Sequence, residues 1–248
     1  MTPIVSAYGG YRKMLSFGFT CLVYHATTTF CRRNFNYKND PLGKSVGQMV
    51  GAARSARQNI VEASARAGTS KETELRLLDV AKASLQELAG DYEAYLIDRN
   101  VEAWSEQDPQ ARSVREMPFD RFTSCEDVRH AYAHHLLAMR ARFASELENE
   151  DPIHAANAIL LTIDRAGALL HRQIQKTGEE FRAVGGFKER MFQARVETRG
   201  ETSQGEVPVC PKCGGPMRKV VARKGANAGN PFWSCRAYPA CDGTRPWA

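Results

Sequence analysis

From Tyr11 to about Gln175 the apolar residues recur at helical spacing and nowhere alternate in strand fashion, so the pattern predicts an all-helical body. The first stripe, Leu15, Phe19, Leu22, Ala26 and Phe30, runs out near Asn36, ahead of the turn-forming Asn39-Asp40-Pro41. The second runs through Val46, Met49, Val50, Ala53, Ile60 and Ala63, with small Ala and Ser positions that let a neighbour approach closely, and Gly68 closes it. Thr69 and Glu72 have the spacing of a capping box and open a third stripe, Leu75, Leu78, Leu85, Leu88, Tyr92 and Tyr95.

Between residues 100 and 122 the periodicity fades, and Asp108-Pro109 and Met117-Pro118 predict a loop with one short helical turn. A fourth helix is expected after Ser124, with Tyr132, Leu136, Met139, Phe143 and Leu147 on one face. A fifth is expected from Asp151-Pro152, an N-cap followed by proline at the first helical position, and carries Ile159, Ile163, Ala166, Leu170 and Ile174. Five helices imply an all-α four-helix bundle with one extra helix over residues 1–183. Gly185-Gly186 breaks the pattern, Phe187–Arg195 suggests a short helix, and the polar Arg199–Gly205 suggests a flexible linker, so 184–205 is expected to connect two domains.

Residues 206–248 are a different kind of chain, the only part rich in both Gly and Pro. Cys210 and Cys213 are spaced C-x2-C, 21 residues intervene, and Cys235 and Cys241 follow as C-x5-C. Each close pair can place two thiolates on one ion, and the span between pairs allows a β-hairpin to fold back and complete a tetrahedron, so a four-cysteine zinc ribbon holding one structural Zn2+ is expected. A chain of 248 residues has no need of disulfide staples in its tail. Reduced thiolates and the absence of a cleavage site after the apolar Met14–Val23 stretch predict a cytoplasmic protein with no membrane partner.

The chain carries a net charge of +6, and it is unevenly spread. Residues 206–248 hold seven Lys or Arg against Glu206 and Asp242, which leaves only +1 for the other 205 residues. One zinc ion and four thiolates lower the tail to about +3, still dense for a module of this size, and a polyanionic partner is expected. Phe232, Trp233, Tyr238 and Trp247 are interleaved with Arg218, Lys219, Arg223, Lys224, Arg236 and Arg245. Rings on which bases stack and cations that neutralise phosphates are the requirements of single-strand binding, while part of the aromatic set must cover the metal site.

Two resemblances sharpen these expectations. Residues 48–64, QMVGAARSARQNIVEAS, followed by Thr69-Ser-Lys-Glu-Thr73 and Ala81-Lys-Ala-Ser-Leu-Gln-Glu-Leu88, resemble the four-helix-bundle proteins of 23S rRNA intervening sequences and the accessory subunits of diversity-generating retroelements. The likeness covers about Tyr11 to Leu96 and, loosely, His154 to Gln175, so residues 98–150 look like an insertion. It implies a homo-oligomer, a pentamer in that family, a partner such as a reverse transcriptase with its RNA, and no catalytic residues. The tail, with Cys210-Pro-Lys-Cys-Gly214, Met217, Lys224-Gly225, Phe232-Trp-Ser-Cys235 and Tyr238-Pro-Ala-Cys241, is similar to the C-terminal zinc ribbons of bacterial type IA topoisomerases. That likeness implies a hold on single-stranded DNA; topoisomerase activity does not carry over, because no matching tyrosine nucleophile or acidic metal cluster is present.

Other motifs carry less. Glu126, His130 and His134 share one face of a helix and could offer three metal ligands, but exposed or structural histidines are far commoner. Gly43-Lys44-Ser45 resembles the end of a phosphate-binding loop, yet Lys38 stands where its first glycine belongs. Cys21, Cys31 and Cys125 are expected as small core residues. On the body, Arg12, Lys13, Arg32, Arg33, Arg54, Arg57 and Arg66 are offset by Glu62, Glu72, Glu74, Glu87 and Glu93, the usual make-up of a solvated face. The sequence thus predicts a non-enzymatic, zinc-dependent accessory protein that binds single-stranded DNA or RNA; the competing expectation is an adaptor whose ribbon binds protein.

Overall fold

The computed structural model describes residues 10–123, 126–202, 207–223 and 227–247, with backbone alone at 184 and 197–202. The chain divides into two compact units, one ending at Arg190 and the other starting at Met191. The first is helical, with α1 (Leu15–Asn34), α2 (Lys44–Arg66), α3 (Lys71–Ile97), α4 (Pro109–Glu116), α5 (Val128–Leu147) and α6 (Pro152–Val184). A further helix, α7 (Phe187–Thr202), continues across the division.

Local chemistry sets the helix starts. Asp40 accepts hydrogen bonds from the Ser45 and Val46 amides and so ties down the opening turn of α2. The cap of α3 is Ser70, one residue later than the capping-box spacing predicts: its side chain accepts from the Thr73 amide at 3.2 Å and pairs with the Thr73 hydroxyl. Glu72 turns outward to Arg76 at 2.8 Å, so the reciprocal half of the box is absent. Asp127 caps α5, and Asp151 caps α6 with Pro152 at its first position, as expected. Pro109 likewise opens the eight-residue α4, with Ala111 and Val114 buried, where the sequence suggests no more than a turn, but Asp108 makes no cap bond to this helix and accepts instead from the Ser105 amide at 2.6 Å.

α1 packs on α2 and α6, and α3 packs on the same two helices from the other side. Phe30, Met49, Ile60, Leu78, Leu85, Leu88, Tyr92, Ile159 and Leu170 are fully buried between them. α1 is wrapped on more than the one stripe the pattern predicts, because Ser16 through Val23 are all buried. The second cover comes from the 98–150 segment. Phe119 lies against Phe19 and over Gly18, Tyr132 stacks on Phe17, and Phe143 meets Phe19 edge-on. Arg165 of α6 donates to the carbonyls of Val114 and Met117 while its guanidinium lies 4.4 Å from the Phe19 ring centre. Two hydroxyls buried in this core are bonded: Thr20 donates to the Ser16 carbonyl at 2.7 Å, and Tyr92 donates to Thr27 at 3.1 Å. Cys21 and Cys31 sit in this core, where burial pushes their thiols up to about 11 and about 12. Cys125 lies outside the described residues. A stretch of Pro152–Val196 is long and apolar enough to cross a bilayer, but 61% of it is buried within the protein, as in the core helix of a globular unit.

Arg199–Thr202 continues α7 rather than forming the expected linker, since no proline interrupts it and Arg and Glu offset the weak helix propensity of Gly200. Residues 203–205 of that predicted linker lie outside the described residues. The second unit carries a three-stranded antiparallel sheet in the order β1 (Met217–Val221), β2 (Pro231–Cys235), β3 (Thr244–Pro246). The sequence predicts only the β1–β2 hairpin. β3 is three residues long and contains Pro246, a composition that reads as a turn but is tolerated on an edge strand.

Candidate metal centre

Two turns bring the four cysteines together. In the first, Cys210 to Cys213, the Gly214 amide donates to the Cys210 carbonyl and the Cys210 amide to the Gly215 carbonyl, at 2.9 and 2.8 Å. Gly214 sits at φ 71°, the left-handed region that glycine enters without strain. The second turn leaves the end of β2 at Cys235. There the Cys241 amide bonds the Ala237 carbonyl, and the Ala237 amide points at the Cys235 sulfur at 3.4 Å. The Cys235 amide donates to the Gly243 carbonyl, and a Cβ at Gly243 would overlap the Cys210 sulfur, so only glycine lets the two turns close. Lys212 and Asp242 join the turns at 2.7 Å on the exposed rim.

All four sulfurs lie within 4.8 Å of one another, with Cys210–Cys241 at 3.7 Å and Cys213–Cys235 at 3.5 Å. Sulfurs bound tetrahedrally to one ion at about 2.3 Å stand about 3.8 Å apart, so the cluster has the dimensions of a four-thiolate metal site. The electrostatics agree. Amides of Cys213 and Lys212 donate to Cys210 and hold its thiol down at about 7, so one thiolate forms readily. The Gly243 amide favours a thiolate at Cys241 too, but the sulfurs around it and its desolvation push that thiol up to about 12. Four sulfurs this close cannot all ionise alone, and a shared cation removes the conflict. A site closed by four protein ligands has no position for water and does structural work. Cys210, Cys235 and Met217 are buried around it, with Trp233 and Cys241 packed alongside as the small core of this unit.

Glu126, His130 and His134 are exposed, and the four cysteines are the one metal-capable cluster among the described residues. The pairing register sorts the expected nucleic-acid contacts onto two faces. Lys219, Trp233 and Arg245 stand opposite one another across the sheet, on the same side as Met217 and Cys235. Trp247 joins them, stacked on Trp233 with ring centres 4.7 Å apart, and the Lys219 ammonium lies 3.9 Å from the Trp247 ring centre. Arg218 and Phe232 belong to the other face, beside Ser234 and Val220 respectively in the strand alternation. Arg236 and Tyr238 project from the second turn, and Tyr238 is 60% exposed, which assigns it a surface position rather than a core one. Arg223 is exposed past the end of β1, and Lys224 lies outside the described residues. The single alternating set suggested by the sequence is therefore divided, with one compact group of two rings and two cations. On the body, Arg57 lies over the Tyr24 ring and Arg33 donates to the Glu148 carbonyl, structural uses for two cations of the mixed face.

Gly243 carries no signal in the sequence, because it falls outside both cysteine pairs and its need for a missing Cβ appears only once the turns meet. No family model matches this chain, and neither the curated proteins nor the solved structures compared with it provide a match.

Proposed function

We propose that the bound metal is zinc and that the protein is a non-enzymatic nucleic-acid-binding protein. In this account α1, α2, α3 and α6 form a closed four-helix bundle, and the metal-held ribbon grips unpaired DNA or RNA. Zinc is supported by the donor set, four soft thiolates at tetrahedral spacing with no disulfide among the described cysteines. Strand binding is supported above all by one observation: Lys219, Trp233, Arg245 and Trp247 lie together on one face of the sheet, beside the four-cysteine cluster. A base stacked on an exposed ring typically gains about 1–3 kcal/mol, and the flanking cations neutralise phosphates.

Fluorescence anisotropy of a labelled single-stranded oligonucleotide tests this directly. The affinity should fall steeply as salt rises, with a slope of about 0.7 per phosphate contacted. Arg245→Ala should flatten that slope by about one contact, while Trp247→Ala should weaken binding at every salt concentration with little change in slope. Absence of binding by the metal-loaded protein at low salt would refute the proposal and favour a ribbon that docks protein.

A further inference from the structure

A second basic site lies in the helical unit, well apart in chemistry from the cysteine centre. A cavity of about 430 Å3 opens at the start of α1, where Lys13, Arg121, Arg172 and Lys176 bring four cations to its wall. Two carboxylates also line it, Glu74 and Glu180, but Lys71 lies between them, 2.8 Å from Glu74 and 3.7 Å from Glu180. The four wall cations have no carboxylate partner among the described residues, so the cavity keeps a positive excess. Arg172 and Lys176 stand one turn apart on α6, so both can reach the same oxygen atoms.

The cavity floor adds neutral donors. α1 is a 20-residue helix whose opening amides have no acceptor within the helix and receive no side-chain cap. Thr177 provides an independent sign of a ligand. It is only 6% exposed and lines the cavity, its hydroxyl makes no hydrogen bond among the described residues, and its oxygen is not sealed from the opening. A buried helical threonine normally bonds the carbonyl one turn back, as Thr20 and Thr162 do in this same unit. Ser16, by contrast, is committed to Gln173 at 2.7 Å. Convergent cations, an uncapped helix start and an idle buried hydroxyl are the donor set of a phosphate cradle.

We infer that this cavity binds a phosphomonoester. Its phosphate lies against Arg172, Lys176, Thr177 and the opening of α1, and the remainder of the ligand lies over Met14 and Leu169. The volume falls within the range of about 300–1,000 Å3 that small-molecule sites occupy and exceeds what inorganic phosphate needs. The phosphate can come from a free nucleotide or from the 5′ end of a strand, and the site stands whether or not the ribbon binds nucleic acid.

Calorimetry on the full chain with adenosine 5′-monophosphate, adenosine and inorganic phosphate decides the matter. The monophosphate should bind saturably, phosphate more weakly, and adenosine not at all. The double variant Arg172→Gln/Lys176→Gln, both positions exposed, should lose about tenfold or more, and the isosteric Thr177→Val roughly threefold to tenfold. Unchanged circular dichroism melting in both variants would tie the loss to the site. Anisotropy with 5′-phosphorylated and 5′-hydroxyl oligonucleotides then separates the sources. A preference for the phosphorylated strand that vanishes in the double variant identifies a strand end, and equal affinities beside intact monophosphate binding identify a free nucleotide. No saturable monophosphate binding, or binding that the double variant leaves intact, overturns the inference.

Discussion

Gly243→Ala is the sharpest single perturbation of the four-cysteine cluster. A Cβ at that position would overlap the Cys210 sulfur, and the Cys210 main chain is itself fixed by bonds to Gly214 and Gly215. To reach an ordinary carbon–sulfur contact the sulfur would retreat by roughly 1.5 Å, several times the spread of about 0.2 Å that metal–ligand distances tolerate. One of four ligands is then lost. Structural zinc sites of this kind bind with about 10–16 kcal/mol, so a quarter of that is about 3 kcal/mol, or roughly a hundredfold in affinity. Gly215→Ala is the matched control, since its Cβ would meet the Cys213 sulfur at 3.5 Å, an ordinary contact. Competition for zinc against a chromogenic chelator on the full chain measures both. If Gly243→Ala stays within about threefold of the unsubstituted protein, the packing of the two turns has been misread.

Gly18→Ala should destabilise the helical unit by about 1–3 kcal/mol in thermal denaturation, because its Cβ would meet the Phe119 ring at 2.5 and 2.8 Å and the ring must leave the α1 surface. Acidification should lower the melting temperature just below pH 6.5: burial, aided by Arg140 and Arg57, holds His25 below its ordinary value of 6.5, and burial does the same for His135. In that window the unfolded chain takes up protons that the folded one refuses, so stability is present above 6.5 and lost beneath it. A His25→Asn/His135→Asn variant should melt with a shallower pH dependence. Arg165→Leu should cost about 1–3 kcal/mol in denaturant unfolding, because the carbonyls of Val114 and Met117 lose their half-buried donor.

The long helices were legible because their signals are local. The stripes around Leu78–Tyr92 and Ile159–Leu170 repeat for many turns, and Asp151-Pro152 announces its helix in two residues. The capping-box spacing points one residue early at α3 because Thr69 and Ser70 are chemically equivalent caps, and only the geometry of the turn chooses between them. The cover over α1 is legible only in part: Tyr132 and Phe143 fall on the expected stripe of α5, whereas Phe119 comes from a segment without periodicity and meets a glycine that reads as a weak helix position. At the candidate metal centre the four cysteines declare themselves by spacing. The division of the aromatic and basic residues between two faces depends on strand register, which a run of residues with turns on either side does not encode. Gly243 and Thr177 share that limit, because each gains its role from atoms far away in the chain.

The measurement closest to the heart of the account is oligonucleotide anisotropy on one preparation of the full chain, first as zinc-loaded protein, then after chelation, then after zinc is returned. Capture of the single strand should disappear with the ion and return with it, while the helical circular dichroism signal stays constant. Equal capture by the stripped protein would contradict the account, since the surface that holds the strand would then owe nothing to the sulfur-bound metal.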